Sequence, residues 1–547
     1  MTPALGELVA WLGRWSAGRG PLYLLLAARL RQLIDEGLLP PGAPLPPDRR
    51  LATALSVGRT TVVAAYETLR QEGRLVRRQG SGTRVAPAAL GPREPATPGA
   101  GPGHVHGPGS GSGSGSSPAP RVTETSNPLF LHLLEPDDDV ILLTCAAPLA
   151  PPPAVREAYR TLDLPTEDLG YHPAGLPALR AAVAARYARR GVPTEPHQIL
   201  VTTGAQQALA LLTRLLVAPG DGVLVEAPAY PGALDLFREA ATVLHPVAVG
   251  PYGIDVEAAI QVMERHRPAL AYVIPRFQNP TGAVLPPLLG RRLVAAERAC
   301  GVPLVDDEVP AELDFVGGGG GGAGRAVPLS AYGSELSEAS EVIAVGSLSK
   351  AVWGGLRIGW VRGPAPLVAR LARLKALHDL GSNVPGQLVA ARLLYDGSES
   401  SSGSSGSGGS ESPDGSGGFD GLVHARVAEL RAGHDLLRAE LARLLPSWHC
   451  PPVTGGQTLW VELPHGDGVS FAQLALRHGV AVLPGSTMDA LGGSTRALRL
   501  HFLLPHARLR EAVRRLAAAW QEYAAGPART GAAGGEPVPA SLNAIAV

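Results

Sequence analysis

Lys350 lies in SLSKAVWGGLRIGW, residues 347–360, in a chain whose 48 basic residues include only two lysines, Lys350 and Lys375. Arginine supplies positive charge elsewhere, but a guanidinium forms no Schiff base at neutral pH, so a retained amine points to carbonyl chemistry. Lys375, in LARLKALHDL, falls in a helical pattern and reads as a solvated or snorkelling side chain. Asp306, Asp307 and Glu308 in LVDDEV are three acids that would be expensive to bury without a cation to face. Asn279 stands on the Pro-rich turn PRFQNPTG, and Tyr230 follows an apolar run in EAPAYPG. In TTGAQQALALL, Gly204, Ala205 and Gln206 open a helix whose free amides can hold an anion. Ser347 and Arg357 add a hydroxyl and a second anion-binding group.

Singly, each has a plain structural reading: a glycine before a helix is a turn, a tyrosine at a strand end is packing, an asparagine near prolines shapes a loop. Together, an amine, a carboxylate, an asparagine, an aromatic and a phosphate cradle are the parts that hold pyridoxal 5′-phosphate (PLP). The elements that must position them are legible too. QILVTT, GVLVEA, LAYVIP, VPLVDD and EVIAVGS are apolar runs alternating with amphipathic helical patterns. That alternation predicts an α/β domain with a mostly parallel sheet, whose ligands bind where strands end and helices begin.

A second, smaller unit precedes this body. The spacing predicts helices over Leu22 to Ile34, Asp48 to Leu55 and Arg59 to about Glu72, the last with Val62, Tyr66 and Leu69 on one face. RLVRRQGSGTRV then reads as two short strands around Gly80-Ser81-Gly82. Three helices and a basic hairpin make a winged helix-turn-helix, whose third helix enters the major groove of double-stranded DNA. Its first residues, Arg59, Thr60 and Thr61, suit phosphate and base edges, and Arg49, Arg78 and Gly80 are further contact candidates. Eight arginines between Asp48 and Arg84 face one Asp and two Glu. The competing reading is a small helical cap whose arginines form a solvated face.

Over the whole 547 residues, acids and bases balance at 48 each, so only this local patch announces a nucleic-acid partner. Cys145, Cys300 and Cys450 lie far apart without metal-type spacing; no metal site is expected, and a cytoplasmic location fits. No apolar run is long enough for a membrane helix. The expected organisation is a head over 20–85, a flexible Gly/Ser/Pro linker over 86–126, a body over 127–525 with loop insertions near 317–325 and 397–418, and a disordered tail over 526–547.

The head resembles the GntR family of bacterial regulators, from PLY at 21–23 through LP..R.LA..L.V.R.TV..AY..L..EG to GSGT.V at 80–85. Pro47 and Gly58 stand where that family commonly has serine. The body resembles class I, fold-type I aminotransferases, and the whole chain resembles the MocR subfamily, in which the two are fused. The resemblance implies that Lys350 is the internal aldimine lysine. It also implies that Asp307 pairs with the pyridine nitrogen, Asn279 bonds the phenolic oxygen and Tyr230 stacks on the ring. Gly204, Ala205, Gln206, Ser347 and Arg357 would bind phosphate, and Arg499 in LRLHF the carboxylate of an amino-acid effector or substrate. A head-to-tail homodimer is implied as well. Two departures stand out. Val309 replaces the family tyrosine after the acids, and GYHPAG is one residue shorter than usual, which affects the reach of Tyr171 toward a neighbouring subunit.

A transcription regulator that senses PLP or an amino compound as an external aldimine is the expected function. A working aminotransferase with a DNA-binding appendage is the alternative, and a structural dimer with a dead pocket a third.

Overall fold

The computed structural model describes residues 5–13, 15, 22–35, 38–55, 57–71, 74–78, 82–86, 139–316, 327–334, 342–395 and 418–525. The expected linker, both loop insertions, the tail and Gly80 lie outside the described residues, apart from a residue or so at their edges, as do the side chains of Thr60 and Arg78.

The head contains α1 Leu5–Leu12, α2 Leu22–Asp35, α3 Asp48–Leu55 and α4 Arg59–Gln71, then strands β1 Leu75–Arg78 and β2 Gly82–Val85. The spacing of leucines in α2 puts Leu26, Leu30 and Leu33 on one buried stripe against Leu51, Leu55, Val62 and Leu69. The hairpin is antiparallel, with Leu75 opposite Val85. The segment before α3 joins it: Leu45 N–H donates to Thr83 O at 2.9 Å, and Val85 N–H to Ala43 O at 2.9 Å. Helix α1 was not expected from the sequence. It buries Leu8 and Leu12, with Trp15 beyond it, on the same core.

In the body a two-residue strand, β3 Ile141–Leu142, comes first; β4 Ile199–Thr202, β5 Gly222–Ala227, β6 Val243–Gly250, β7 Gly253–Ile254, β8 Leu270–Val273, β9 Leu304–Asp307, β10 Ile343–Ser347 and β11 Gly359–Arg362 then form one sheet, ordered β4-β11-β10-β9-β8-β5-β6-β7. The pairs β10/β9, β9/β8, β8/β5 and β5/β6 are parallel; β11 runs against both β10 and β4. Strands β4, β8, β9 and β10 are buried throughout, which is why they read as apolar runs up to the polar residues at their ends. Helices cover both faces. Among them are α5 Pro177–Arg189, α6 Ala205–Leu216, α7 Pro231–Glu239, α8 Pro287–Cys300, α9 Ala365–Asp379 and α10 Val384–Leu394. A second sheet, β12 Thr458–Glu462, β13 Leu483–Pro484 and β14 Ala497–His501, is antiparallel and packs with α11 Phe419–Leu444, α12 Gly468–Arg477 and α13 His506–Ala525 around Phe471, Phe502 and Trp520.

The acids that end β9 alternate across the sheet, as a strand requires. Asp307 faces one side. Glu308 finds its cation on the other, where Arg190 Nη1 lies 2.9 Å from its Oε2. Arg186, on α5, bonds Glu312 at 2.8 Å and Asp420, at the start of α11, at 2.9 Å. Arg190 thus supplies Glu308 with the countercharge that the sequence left unassigned, while Arg186 serves Glu312 and Asp420 beside it.

Candidate functional site

The parallel strands end at one edge, and the candidate residues follow those ends. At β4, Thr202 leads to Gly204, which has φ 118° and caps α6. An L side chain rarely adopts that conformation, and a Cβ there would lie 3.2 Å from Arg357 Nη2, so the guanidinium stands over the first turn of α6. Arg357 itself is left-handed, with φ 54°, in the bend that follows a π-helical turn over Ser349–Trp353. The register sets Ser347 opposite Gly359 and Gly359 opposite Thr202. A Cβ on Gly359 would sit 2.7 Å from the Gly204 carbonyl carbon, so glycine is what allows the cap to approach the sheet. Ser347 Oγ donates to Ile358 O at 3.1 Å and lies 3.1 Å from Ser349 Oγ. Amides of a helix start, two hydroxyls and a guanidinium therefore converge, as a phosphate cradle requires.

Lys350 follows directly. Its Nζ donates to Ala146 O, and burial lowers its pKa from the usual lysine value. Asp307 and Arg499 are among the charges that act on it. Asp307 accepts from Tyr272 Oη at 2.6 Å and from the Val309 amide at 3.0 Å. Burial still raises its pKa against those two bonds, so a cationic N–H directed at the carboxylate would restore its charge. Arg499 Nη1 donates to Asn279 Oδ1 at 3.2 Å and Nη2 to Thr144 O. Arg499 is 2% exposed, its Nε has no partner, and burial lowers its pKa to about 10. Tyr230 Oη lies 3.1 Å from Gln206 Oε1, and its titration feels both Asp307 and Arg499. The structure thus gathers Lys350, Asp307, Asn279, Tyr230, Gly204, Ala205, Gln206, Ser347, Arg357 and Arg499 at one edge.

In the head, Arg49 is exposed and Arg59 opens α4 with its Nε 2.8 Å from Asp48 Oδ2. Thr61 lies partly buried on the same turn. That ion pair was not foreseen: nothing in the spacing of Asp48 and Arg59 marks it.

A family profile for class I and II aminotransferases matches residues 138–516, and one for bacterial regulatory proteins of the gntR family matches 22–85. The chain belongs to the class I and II aminotransferase family. It joins that body to a GntR-type DNA-binding head. Similarity runs through both parts in the uncharacterized HTH-type transcriptional regulator YisV of Bacillus subtilis, 26% identical over 90% of this chain and 94% of that protein. The probable rhizopine catabolism regulatory protein MocR of Rhizobium meliloti is 31% identical over 65% of this chain and 68% of that one. Among solved structures, LysN, an α-aminoadipate aminotransferase of Thermus thermophilus complexed with N-(5′-phosphopyridoxyl)-L-leucine, is 29% identical, with a TM-score of 0.62 over 72% of this chain and 94% of that one. This chain is a GntR-type regulator of MocR architecture, and PLP is its cofactor.

The site of this aminotransferase-like body fits PLP. A phosphate cradle, an amine, a buried carboxylate and an orphaned guanidinium Nε are all present. Among the residues sequence reasoning missed, Ser349 stands two positions after Ser347, whereas Tyr272 carries no local signal. Lys375 is a correction. It is not solvated but fully buried, with Nζ 2.7 Å from Asp379 Oδ1, because α9 packs that face onto α6.

A buried acid beneath the site gives a pH prediction. Glu226 Oε2 accepts from Gln278 Nε2 at 3.0 Å, and burial pushes its pKa up to about 8. The folded chain therefore holds a proton that an unfolded carboxylate, at about 4.3, releases. Its contribution to stability is full below about pH 4 and is lost as pH rises through about 8. The melting temperature of the cofactor-free chain should fall between about pH 4 and 8 and level off above that, and Glu226→Gln should flatten that part of the profile. An equal fall in both would contradict a neutral Glu226.

Proposed function

We propose that this regulator uses its aminotransferase-like body to sense PLP and an amino-acid or amine effector, and that the sensed state changes how its heads meet DNA. The observation that carries the reading is the buried Arg499 guanidinium, its Nε without a partner, held in the Lys350/Asp307 cluster of a chain that also carries a DNA-reading head. Asp307 would hold the pyridine nitrogen, Asn279 the phenolic oxygen, Tyr230 the ring face, and the α6 amides with Ser347 and Arg357 the phosphate. When bound, PLP supplies an aldehyde that links covalently to amines and an electron-withdrawing ring. Lys350, with its lowered pKa, offers a neutral amine more readily than a solvated lysine does. Arg499 would take an effector carboxylate. Val309 carries no hydroxyl for the phenolic oxygen, so Asn279 stands without the family's second donor there. That favours binding over turnover.

A homodimer belongs to this proposal. Leu169 (84% exposed), Tyr171 (60%), Leu377 (85%) and Leu380 (50%) leave an apolar surface uncovered on one chain. They lie near one another because Gly381 packs against His172, where a Cβ would meet His172 O at 2.7 Å. A head-to-tail pair of chains covering this face would present two heads to two DNA half-sites.

The test is a DNA-affinity titration on the fragment upstream of the chain's own gene, without ligand, with PLP, and with PLP plus each L-amino acid. At least one ligand state should shift affinity by about fivefold or more, the range of ordinary allosteric coupling. Arg59→Ala should weaken binding and reduce the salt slope by about one. Identical affinity in every ligand state, together with steady conversion of amino acid and oxo acid, would favour the aminotransferase reading instead, which the intact Lys350, Asp307 and Arg499 keep chemically open.

A further inference from the structure

The chain's second lysine is buried behind the first one's cofactor site. Thr203 N–H donates to Gln207 Oε1 at 2.9 Å, and Gln207 Nε2 donates to Asp379 Oδ2 at 2.7 Å. Asp379 in turn receives Lys375 Nζ at 2.7 and 2.9 Å and the Gly381 amide at 3.0 Å. Thr203 immediately precedes Gly204, the cap of α6, and Gln207 is the third residue of that helix. The line of bonds runs from the buried ammonium to the backbone that forms the phosphate cradle.

The geometry points to Lys375 and Asp379 as positioning residues for the cofactor phosphate, acting through the Gln207 side chain on the Thr203–Gly204 backbone. A carboxylate only accepts, so Asp379 forces the Gln207 NH2 toward itself and leaves Oε1 to face the Thr203 amide. A flipped amide would set two donors against each other at Thr203 and two acceptors at Asp379. The same carboxylate, placed behind a site for a phosphate dianion, would repel that dianion if left uncompensated. Lys375, fully buried and bonded to both carboxylate oxygens, removes the excess negative charge. An arginine fork is larger and its donors are fixed in a plane, whereas one ammonium bonds both oxygens from a single point.

This inference rests on the PLP reading of the site, and its test separates the two. The full-length chain is titrated with PLP and, in parallel, with pyridoxal, which carries the same aldehyde and ring but no phosphate; visible absorbance reports binding. For Lys375→Met, PLP affinity should weaken about tenfold, as expected for losing a charge-assisted contact, while pyridoxal affinity stays within about twofold. Gln207→Leu, which keeps the bulk of the side chain but cuts the relay between Asp379 and the Thr203 amide, should show the same selective loss. It decides the matter alone if Lys375→Met does not fold. Equal weakening toward both compounds would mean that the network only packs the helix, and unchanged affinity toward both would mean that it does nothing for the cradle; either overturns the assignment. A wild-type chain that takes up neither compound would overturn the cofactor reading itself, and this proposal with it.

Discussion

Lys350→Ala should leave a folded chain that carries no pyridoxyl group after incubation with PLP, reduction with borohydride and digestion, whereas the wild type carries one on the peptide containing residue 350. The assignment is unusually clean because the chain has only one other lysine, Lys375, which is fully buried with its ammonium held between both oxygens of Asp379. A label cannot migrate there without unfolding α9. The fold should tolerate the change, since Lys350 gives up one bond, to the Ala146 carbonyl, and its residue is not fully buried. Non-covalent affinity should persist in weakened form, because the α6 amides, Ser347 and Arg357 remain. Thermal stabilisation by added PLP should shrink accordingly, since a ligand stabilises by RT ln(1 + [L]/Kd) and a hundredfold weaker site loses about 2.7 kcal/mol at saturating ligand. Lys350→Arg should fail in the same way despite keeping the charge. Pyridoxyl mass retained by the Lys350→Ala protein would remove Lys350 from its role.

Much of this site was legible because its chemistry sits at the ends of parallel strands, and such strands write themselves as continuous apolar runs. Strand β6 was not seen. Its residues His245 and Pro246 interrupt the run, and it lies toward the edge of the sheet, where burial is incomplete. Strand β11 was hidden behind the two glycines and Arg357 that precede it, and its antiparallel direction depends on a π-helical turn that no period in the sequence announces. The head was readable for the opposite reason. Helices α2, α3 and α4 bury stripes of leucine, valine and tyrosine at regular spacing, and a helix period survives without knowledge of the partner. Helix α1 carries the same signal over too few residues. What the sequence could not carry was second-layer contact: Tyr272 on Asp307, Gln278 under Glu226, Asp379 on Lys375. Each joins residues whose separation along the chain is unrelated to their distance in space, and LARLKALHDL has the same helical spacing whether Lys375 points at water or at α6.

Arg499→Gln should make amino-acid binding at least about thirtyfold weaker while leaving the ligand-free chain as stable as before, or more so. These two effects have one origin. Arg499 is almost completely buried, yet its bonds go to a carbonyl and an amide oxygen, and its Nε has no partner. No carboxylate is among its bonded partners among the described residues, and burial accordingly lowers its pKa to about 10. A buried charge left without a countercharge costs free energy, so the isolated chain loses nothing by exchanging it for a neutral amide. A carboxylate arriving from solvent reverses the balance, because it brings the missing charge and an acceptor for Nε; removing one member of such a pair typically costs 2–5 kcal/mol, or roughly thirty- to several-thousandfold in affinity. Comparing each amino acid with its decarboxylated amine isolates this term. The wild type should prefer the amino acid, Arg499→Gln should bind the two alike, and Arg499→Lys should fall between them, since an ammonium keeps the charge but not the two-pronged geometry. If the wild type bound amine and amino acid equally, Arg499 would not be the carboxylate receptor. The effector would then have to be an amine recognised by Lys350, Asp307 and their cofactor alone.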